Sequence, residues 1–311
     1  MRILITGGCG YIGSKLLQSV SELKGVEAIR ILDNFSSGSR QALMNLPKGI
    51  KFEVVEGDIL NNAIVSYAMQ GIDIVIHLAG LVKTPMSFGD PNRLEQINHW
   101  GTQNLLEHAL NNKVKQFIYT SSTAVYGPAM ENKKEDEFRP FGHYANSIYN
   151  TEQSLFGYQK RGLPITILRL GTIYGVAPHM RFVSVINRLV HMAATKKMLT
   201  VFGQGQQVRP FIHVKDAVNA IFYAVSNKER LLGTALNVLE NNYTINEIAQ
   251  HIQKADPSVK LHFTDQDIRN HFSFLIKHDL FTEAGWKPEI SLEAGIKEQL
   301  GHYNGFTRLM L

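Results

Sequence analysis

The sequence predicts an α/β fold: a doubly wound parallel (Rossmann) sheet with a smaller α/β lobe interleaved into it. Three observations carry this. Short apolar runs alternate with stretches of helical period from the first residues to about position 170, the pattern of a parallel sheet covered on both faces. The chain opens on Arg2-Ile3-Leu4-Ile5 and passes directly through Thr6-Gly7-Gly8-Cys9-Gly10-Tyr11-Ile12-Gly13 into an apolar helical pattern. Beyond about residue 175 the rhythm changes to helical, Met-containing sequence and short strands, with no low-complexity linker. The second lobe is therefore woven through the first. The expected division is 1–174 with 214–240 for the sheet domain, and 175–213 with 241–311 for the lobe.

The opening stretch reads as strand, tight turn and helix, with Leu16, Leu17, Val20 and Leu23 on one helical side. Gly7 lets the chain turn sharply, Gly10 lets a pyrophosphate approach the backbone, and Gly13 lets the helix pack closely on the strand. The free N–H groups of the helix start then suit an anion. Tyr11 and Ile12 belong to the same candidate phosphate turn. A second strand, Ala28 to Leu32, ends at Asp33. An acidic residue about twenty positions beyond such a turn bonds both hydroxyls of an adenosine ribose and repels a 2′-phosphate. The cofactor predicted is thus NAD, with Asn34 beside it; Arg40 weighs slightly against that preference.

A third strand, Phe52 to Val55, closes on Glu56-Gly57-Asp58, which sets Asp58 and Ile59 at the adenine edge. A fourth, Ile72 to Ile76, leads into His77-Leu78-Ala79-Gly80, where Leu78, Ala79 and Gly80 pass close to the cofactor and Lys83 follows within reach of it. A helix over roughly Leu94 to Leu110 carries Asn98, Gly101 and Thr102. The fifth strand, Gln116 to Tyr119, ends in Thr120-Ser121-Ser122-Thr123. A polar, charged loop precedes a helix from about Tyr144 to Lys160. A sixth strand, Ile165 to Leu170, runs into Gly171-Thr172-Ile173-Tyr174-Gly175. Apart from the helical Asn98, Gly101 and Thr102, each singled-out residue follows a strand end, where ligands of such sheets bind. In the lobe a helix is expected over Phe182 to Thr195 and a strand over Leu199 to Phe202. A sheet-covering helix from Asp216 to Val225 and a strand from Ala235 to Val238 return to the sheet.

The net charge of +5 comes from scattered lysines and arginines, with no basic run interleaved with aromatics. That suits a phosphate-bearing small molecule and gives little support to nucleic acid. No apolar run is long enough to cross a bilayer, and the N-terminus has no secretory pattern. Cys9 is the only cysteine, which excludes an intrachain disulfide and a thiolate metal site and predicts a reducing, cytoplasmic setting.

Taken together, these residues resemble the extended short-chain dehydrogenase/reductase family, in its nucleotide-sugar epimerase and dehydratase branch, over nearly the whole chain. Thr6 to Gly13 is similar to its glycine motif, and Asp33-Asn34-Phe35-Ser36-Ser37-Gly38 to the ribose turn of its NAD-dependent epimerases. His77-Leu78-Ala79-Gly80 and Asn98-His99-Trp100-Gly101-Thr102 match two further signatures. Ser121-Ser122-Thr123-Ala124-Val125-Tyr126-Gly127 resembles the segment supplying the catalytic serine or threonine, which falls on Ser122 with Thr123 beside it. The stretch Arg169 to Gly175 resembles the segment bordering nicotinamide and sugar, which brings in Leu170 and Thr172. Val208-Arg209-Pro210-Phe211 resembles the segment whose arginine clamps the nucleotide diphosphate, with Pro210 in place of the acid, so Arg209 inherits that role. Asp267-Ile268-Arg269 resembles the segment that often adds a second arginine. The resemblance implies NAD, a nucleotide-diphosphate sugar, and a homodimer through the helices near Leu94–Leu110 and Tyr144–Lys160.

The family's catalytic motif is a tyrosine followed four positions later by a lysine. Here Tyr144 stands at the tyrosine, and Ile148 stands where the lysine belongs. A tyrosine with its ordinary pKa near ~10 is a poor base at neutral pH. The lysine lies one helical turn on, and its charge favours the phenolate. Isoleucine cannot do this, which could raise the tyrosine pKa by ~1–3 units. Lys83, His143 and His99 are the candidate substitutes, with Lys83 the best placed. Thr123 and Ala124 stand where the family's dehydratases commonly carry an Asp-Glu pair, which argues against a standard dehydratase; the charged loop Glu135-Asp136-Glu137 leaves an atypical one open. Three readings remain: an NAD-dependent epimerase or related redox enzyme with an altered base, a protein that binds NAD and sugar nucleotide without turnover, or a standard enzyme carrying an engineered lysine substitution. Retention of Ser122, Tyr144 and Arg209 favours the first or third.

Overall fold

Seven of the apolar runs form strands of one sheet: β1 Arg2–Thr6, β2 Ala28–Asp33, β3 Lys51–Glu56, β4 Ile74–His77, β5 Gln116–Ser122, β6 Ile165–Leu170 and β7 Ala235–Val238. The computed structural model describes residues 1–82, 90–128, 132–133, 138–196, 198–264, 273, 275–276 and 279–303. The strands lie in the order β7-β6-β5-β4-β1-β2-β3, and every neighbouring pair is parallel. The period of two along a strand divides the apolar side chains between two cores. Ile3 and Ile5 of β1 pack on one face with Leu16, Leu17 and Ile221, while Leu4 packs on the other with Val75, Leu105 and Phe117. Covered on both faces, β6 is buried at all of its positions, whereas β3, at the sheet edge, has no fully buried position and leaves Val54 exposed.

After β6 the chain leaves the main sheet through Gly171. Thr172–Tyr174 pairs in parallel with Val208–His213, whose other edge takes Asn241–Thr244 antiparallel. Met198–Phe202 pairs with Lys260–Thr264. The helices Val185–Lys196, Ile245–Ala255 and Leu292–Gly301 enclose a third core containing Ile186, Val190, Phe211, Ile248 and Ile296. Between these pieces the helix Val214–Ser226 and β7 return to the main sheet. The interleaving expected from the sequence is thus physical: the chain crosses between the sheets repeatedly.

Two helices differ from expectation at their starts. The helix expected from Leu94 begins at Pro91, because Asp90 accepts from Arg93 N at 3.0 Å and caps it. It passes through a π turn, Gln96–Trp100, before continuing as Gly101–Asn111. The lobe helix begins at Val185 and not at Phe182, since Ser184 ends the preceding turn by donating its hydroxyl to Ile173 O at 2.6 Å. No helix among the described residues is long and apolar enough to cross a membrane.

Candidate functional site

The order of the strands reverses between β1 and β4, and a crevice opens beyond their carboxyl ends. Gly7 turns the chain out of β1 at φ +69°, and a Cβ there would lie 2.6 Å from Ala79 N. The close approach of the turn to the segment after β4 therefore requires glycine. A Cβ on Gly13 would lie 2.6 Å from the Gly8 backbone, so this glycine sets how tightly the helix Tyr11–Ser19 seats on its strand. That helix starts at Gly10 with no side-chain cap, which leaves first-turn N–H groups open to an anion.

Asp33, at the end of β2, is buried at 8% exposure; its two oxygens accept from Cys9 N and Phe35 N, each at 2.8 Å. The carboxylate is thereby fixed beside the glycine turn. Asn34 donates to Asp58 at 2.8 Å and links the ends of β2 and β3. Arg40, the residue that weighed against NAD, donates from Nη2 to both Glu56 oxygens at 2.9 Å and lies over the Phe35 ring. Its guanidinium is engaged, which supports the preference for a ribose without a 2′-phosphate. Burial, with the Asp33 charge adding, pushes the Cys9 thiol up to about 12, so it packs as an inert thiol.

These groups line one cleft of ≈ 690 Å³, within the range of small-molecule sites. It contains Gly7, Gly10, Tyr11, Ile12, Gly13, Asp33, Asn34, Asp58 and Ile59 from the first half of the sheet. Leu78, Ala79, Gly80, Asn98, Ser121, Ser122, Thr123, Tyr144, Leu170, Thr172 and Arg209 complete the set predicted from sequence. Lys83, Arg269 and the charged loop Glu135 to Glu137 lie outside the described residues. The glycine cradle, the open helix start and the fixed Asp33 fit an NAD molecule.

At the end of β5 three neighbouring hydroxyls have different fates. Ser121 donates to Glu152 at 2.5 Å, and Thr123 donates to Leu170 O at 3.3 Å. Ser122 caps the short turn Thr123–Tyr126 by accepting from Ala124 N at 3.2 Å, and it lines the cleft together with Tyr144. Tyr144 sits in the first turn of the helix Gly142–Lys160. Burial pushes its phenol up from the ordinary value; Ser122 and the positive charge of Arg181 pull it back down. Ile148, one turn on, is 6% exposed and packs with Val125, Tyr126, Leu239 and Ile276.

Asn98 lies in the π turn and is itself buried. Its side chain holds Leu81 at both backbone atoms, accepting from N at 2.7 Å and donating to O at 3.0 Å, and also donates to Ser147 at 3.0 Å. Turns of this type recur at functional sites; this one fastens the segment after β4 to the helix that carries Tyr144. Of the proposed substitute cations, His99 is bound to Glu95 at 2.6 Å and Ser154 at 2.9 Å and does not line the cleft. His143 is exposed.

Across the cleft, Arg209 from the strand Val208–His213 is joined by Arg181 and Arg188, two residues that sequence reasoning missed. Neither belongs to a spaced motif. Arg181 stands in the turn before the helix Val185–Lys196 and Arg188 on that helix, and only the path of the chain brings them to the cleft. The arrangement can hold a dinucleotide along the sheet ends, a phosphate-bearing molecule against arginines, and a hydroxyl between Ser122 and Tyr144.

The model of the NAD dependent epimerase/dehydratase family matches residues 3–238. A UDP-N-acetyl-alpha-D-glucosaminuronate decarboxylase of Bacillus cytotoxicus is 31% identical over 316 residues, covering 96% of each chain. Among solved structures, a UDP-glucuronic acid 4-epimerase from Bacillus cereus, in complex with UDP-glucuronic acid and NAD, superposes with a TM-score of 0.85. It is 26% identical, over 99% of this chain and 100% of that one. A UDP-glucose 4-epimerase of Thermotoga maritima, with UDP-glucose, superposes with a TM-score of 0.86 at 25% identity, over 97% and 98%.

Proposed function

The chain belongs to the NAD-dependent epimerase/dehydratase family, and from that premise we propose that it epimerises a nucleotide-diphosphate sugar with Tyr144 as acid and base. The observation that carries this reading is that Ser122 and Tyr144 line the same cleft as the glycine turn and Arg209. NAD, when bound, supplies reversible acceptance of a hydride from the carbinol carbon of the sugar. Gly7, Gly10 and Asp33 would hold its pyrophosphate and ribose. Tyr144 takes the proton of the sugar hydroxyl and later returns it, while Ser122 donates to the phenolate and orients the hydroxyl. Arg209 holds the diphosphate, for which its planar fork of donors is suited.

Thr123 and Ala124 speak against dehydration. Thr123 is turned to the Leu170 carbonyl, and Ala124 has no proton to give a departing hydroxyl. The first substrates to test are UDP-linked sugars, the class named for the Bacillus relatives. Incubating the NAD-loaded protein with UDP-glucuronic acid, UDP-glucose and UDP-N-acetylglucosamine should yield the epimeric sugar. A 4-keto-6-deoxy sugar or released carbon dioxide would assign the chain to dehydration or decarboxylation instead.

A second reading, binding without turnover, is favoured by Ile148 alone; it requires sugar nucleotide to bind while no epimer forms and the reduced-nicotinamide absorbance stays flat. The proposal includes a homodimer through the helical segments near Leu94–Leu110 and Tyr144–Lys160, for which the half-exposed Trp100 is a contact candidate. Sedimentation showing only monomer would remove it.

A further inference from the structure

Ile148 takes a positive charge away from the neighbourhood of Tyr144. It packs with Val125, Tyr126, Leu239 and Ile276, and Arg169, whose guanidinium lies over the Tyr126 ring, is paired with Glu152. A cation is present elsewhere in the cleft. Arg181 lines the same cleft, and its Nη2 donates to Val82 O at 2.9 Å. Val82 directly follows Leu81, which Asn98 clamps at both backbone atoms and ties to Ser147. Ser147 in turn donates to Tyr144 O at 2.9 Å. The guanidinium is thus fastened, through the Asn98 clamp, to the helical turn that presents Tyr144.

The loop end is also fixed. Arg181 O accepts from Asn187 Nδ2 at 3.1 Å, and Asn187 also donates to the Tyr11 hydroxyl at 3.0 Å. Among the described residues no carboxylate forms an ion pair with Arg181. Two phenols feel its charge, Tyr11 and Tyr144. Tyr11 donates its hydroxyl to Gly175 O at 2.5 Å, which leaves Tyr144 as the phenol free to change its proton.

We propose that Arg181 is the positioning residue that replaces the missing lysine: from within the same cleft it supplies the positive charge that keeps Tyr144 able to accept a proton. The inference rests on the reading of Tyr144 as acid and base. Arg188 and Arg209 share the cleft, from the helix Val185–Lys196 and the strand Val208–His213. Tyr119 and Ser122 of β5 are neutral, with the Tyr119 phenol held well above its ordinary value by burial. Glu152, on the same helix as Tyr144, is paired with Arg169. An opposite charge close to a partly buried phenol lowers its pKa by about 1–3 units. A guanidinium remains protonated at neutral pH even where burial weakens its hold on the proton, as at Arg181.

The test reads the phenol itself and needs no substrate. In NAD-loaded protein with isotope-labelled tyrosine ring carbons, the NMR resonance lost in Tyr144→Phe identifies Tyr144. Its titration is then followed through the alkaline range. Arg181→Gln should raise the midpoint by about one pH unit or more, and adding Ile148→Lys to that variant should lower it again. Arg181→Lys, which keeps charge and changes shape, should stay close to the native midpoint. The proposal falls if Arg181→Gln titrates like the native protein, if Arg181→Lys moves as far as Arg181→Gln, or if Lys83→Gln is the variant that shifts Tyr144. Failure of the epimerase reading shows elsewhere, as absent turnover with UDP-sugars while Arg181→Gln still shifts the Tyr144 titration.

Discussion

Glu152 and Arg169 meet as a buried bidentate ion pair, with Nη2 to Oε2 at 2.8 Å and Nε to Oε1 at 3.0 Å. The pair spans the helix Gly142–Lys160 and β6. Ser121 of β5 donates to the same carboxylate, and the other side of the guanidinium donates to the Tyr126 hydroxyl, which donates on to Asn237 of β7. Four elements are locked together, among them β5, which carries Ser122, and the helix that carries Tyr144. Removing one partner strands the other charge, so Glu152→Gln should destabilise the fold by about 3–5 kcal/mol. Replacing both partners by methionine should recover much of that loss. Denaturant midpoints of the single and double variants check this; an undisturbed midpoint for Glu152→Gln would show that the pair does not hold the helix.

How much of this was legible in the sequence depends on the range of the physics. β1, the glycine turn and Asp33 were legible because a local requirement dictates each residue: a turn at positive φ, a close helix, an acid at a strand end. Ile148 was legible as a departure because it breaks a spacing of one helical turn. The Glu152–Arg169 pair was not, since two charges 17 positions apart carry no sign of pairing until helix and strand are packed. Arg181 was invisible for the same reason. Its place in the cleft with Tyr144 is made by the Val82 carbonyl and the Asn98 clamp, contacts with no period and no motif. The π turn at Asn98 was hidden inside an ordinary helical pattern.

Asp33 should decide between the two nicotinamide cofactors. Asp33→Asn keeps the shape and one acceptor but removes the charge that repels a 2′-phosphate. NAD affinity should fall by about 1.5–3 kcal/mol, the scale of hydrogen bonds to a charged group, and the gap to NADP should narrow. Adding Glu56→Gln would free Arg40 from its bond to both Glu56 oxygens and narrow it further. Calorimetric titration with both cofactors reads this directly; a native protein that binds NADP more tightly than NAD would overturn the role of Asp33.

Arg209→Ala should weaken sugar-nucleotide binding by about 2 kcal/mol or more, on the scale of a truncated buried charge pair. NAD affinity should hardly change, because Arg209 stands on the lobe strand Val208–His213 and not among the ends of β1 to β3. Titration with UDP alone is sufficient as a readout. An unaltered affinity would move the diphosphate site towards Arg188 or Arg269.

His77 should make the fold acid-sensitive. It lies wholly buried between Thr6 and Thr102, at 2.6 and 2.8 Å, and burial pushes its pKa down to about 3. The unfolded chain, with the ordinary value of 6.5, binds a proton first. Stability is therefore full above pH 6.5, falls as the pH drops through the window to about 3, and levels off below it, by at most about 1.4 kcal/mol per pH unit for one group. His213, pushed down to about 4 by burial with Lys15 and Lys215 adding, contributes in the same direction. Unfolding free energies measured across this window should show the slope, and His77→Gln should reduce it. A slope unchanged in that variant would remove His77 as its source.

Ile148→Lys tests the chemistry at its weakest point. With Tyr144 as the base, native turnover should rise as the pH rises towards the phenol pKa, which burial holds above its ordinary value. A lysine one turn on restores a favourable charge, so turnover at neutral pH should increase and the pH–rate profile should move to lower pH. If Arg181 already supplies part of that charge, the gain in the native background should be small, about tenfold or less, and larger in Arg181→Gln. A protein that only binds would keep its affinities and gain no turnover from the lysine. The niche of Ile148 is apolar, and an enzyme whose chemistry had come to depend on that niche would lose activity when an ammonium enters it. Slower turnover for Ile148→Lys at every pH, with NAD still bound, would remove Tyr144 as the base and turn attention to Ser122, Thr123 and Lys83.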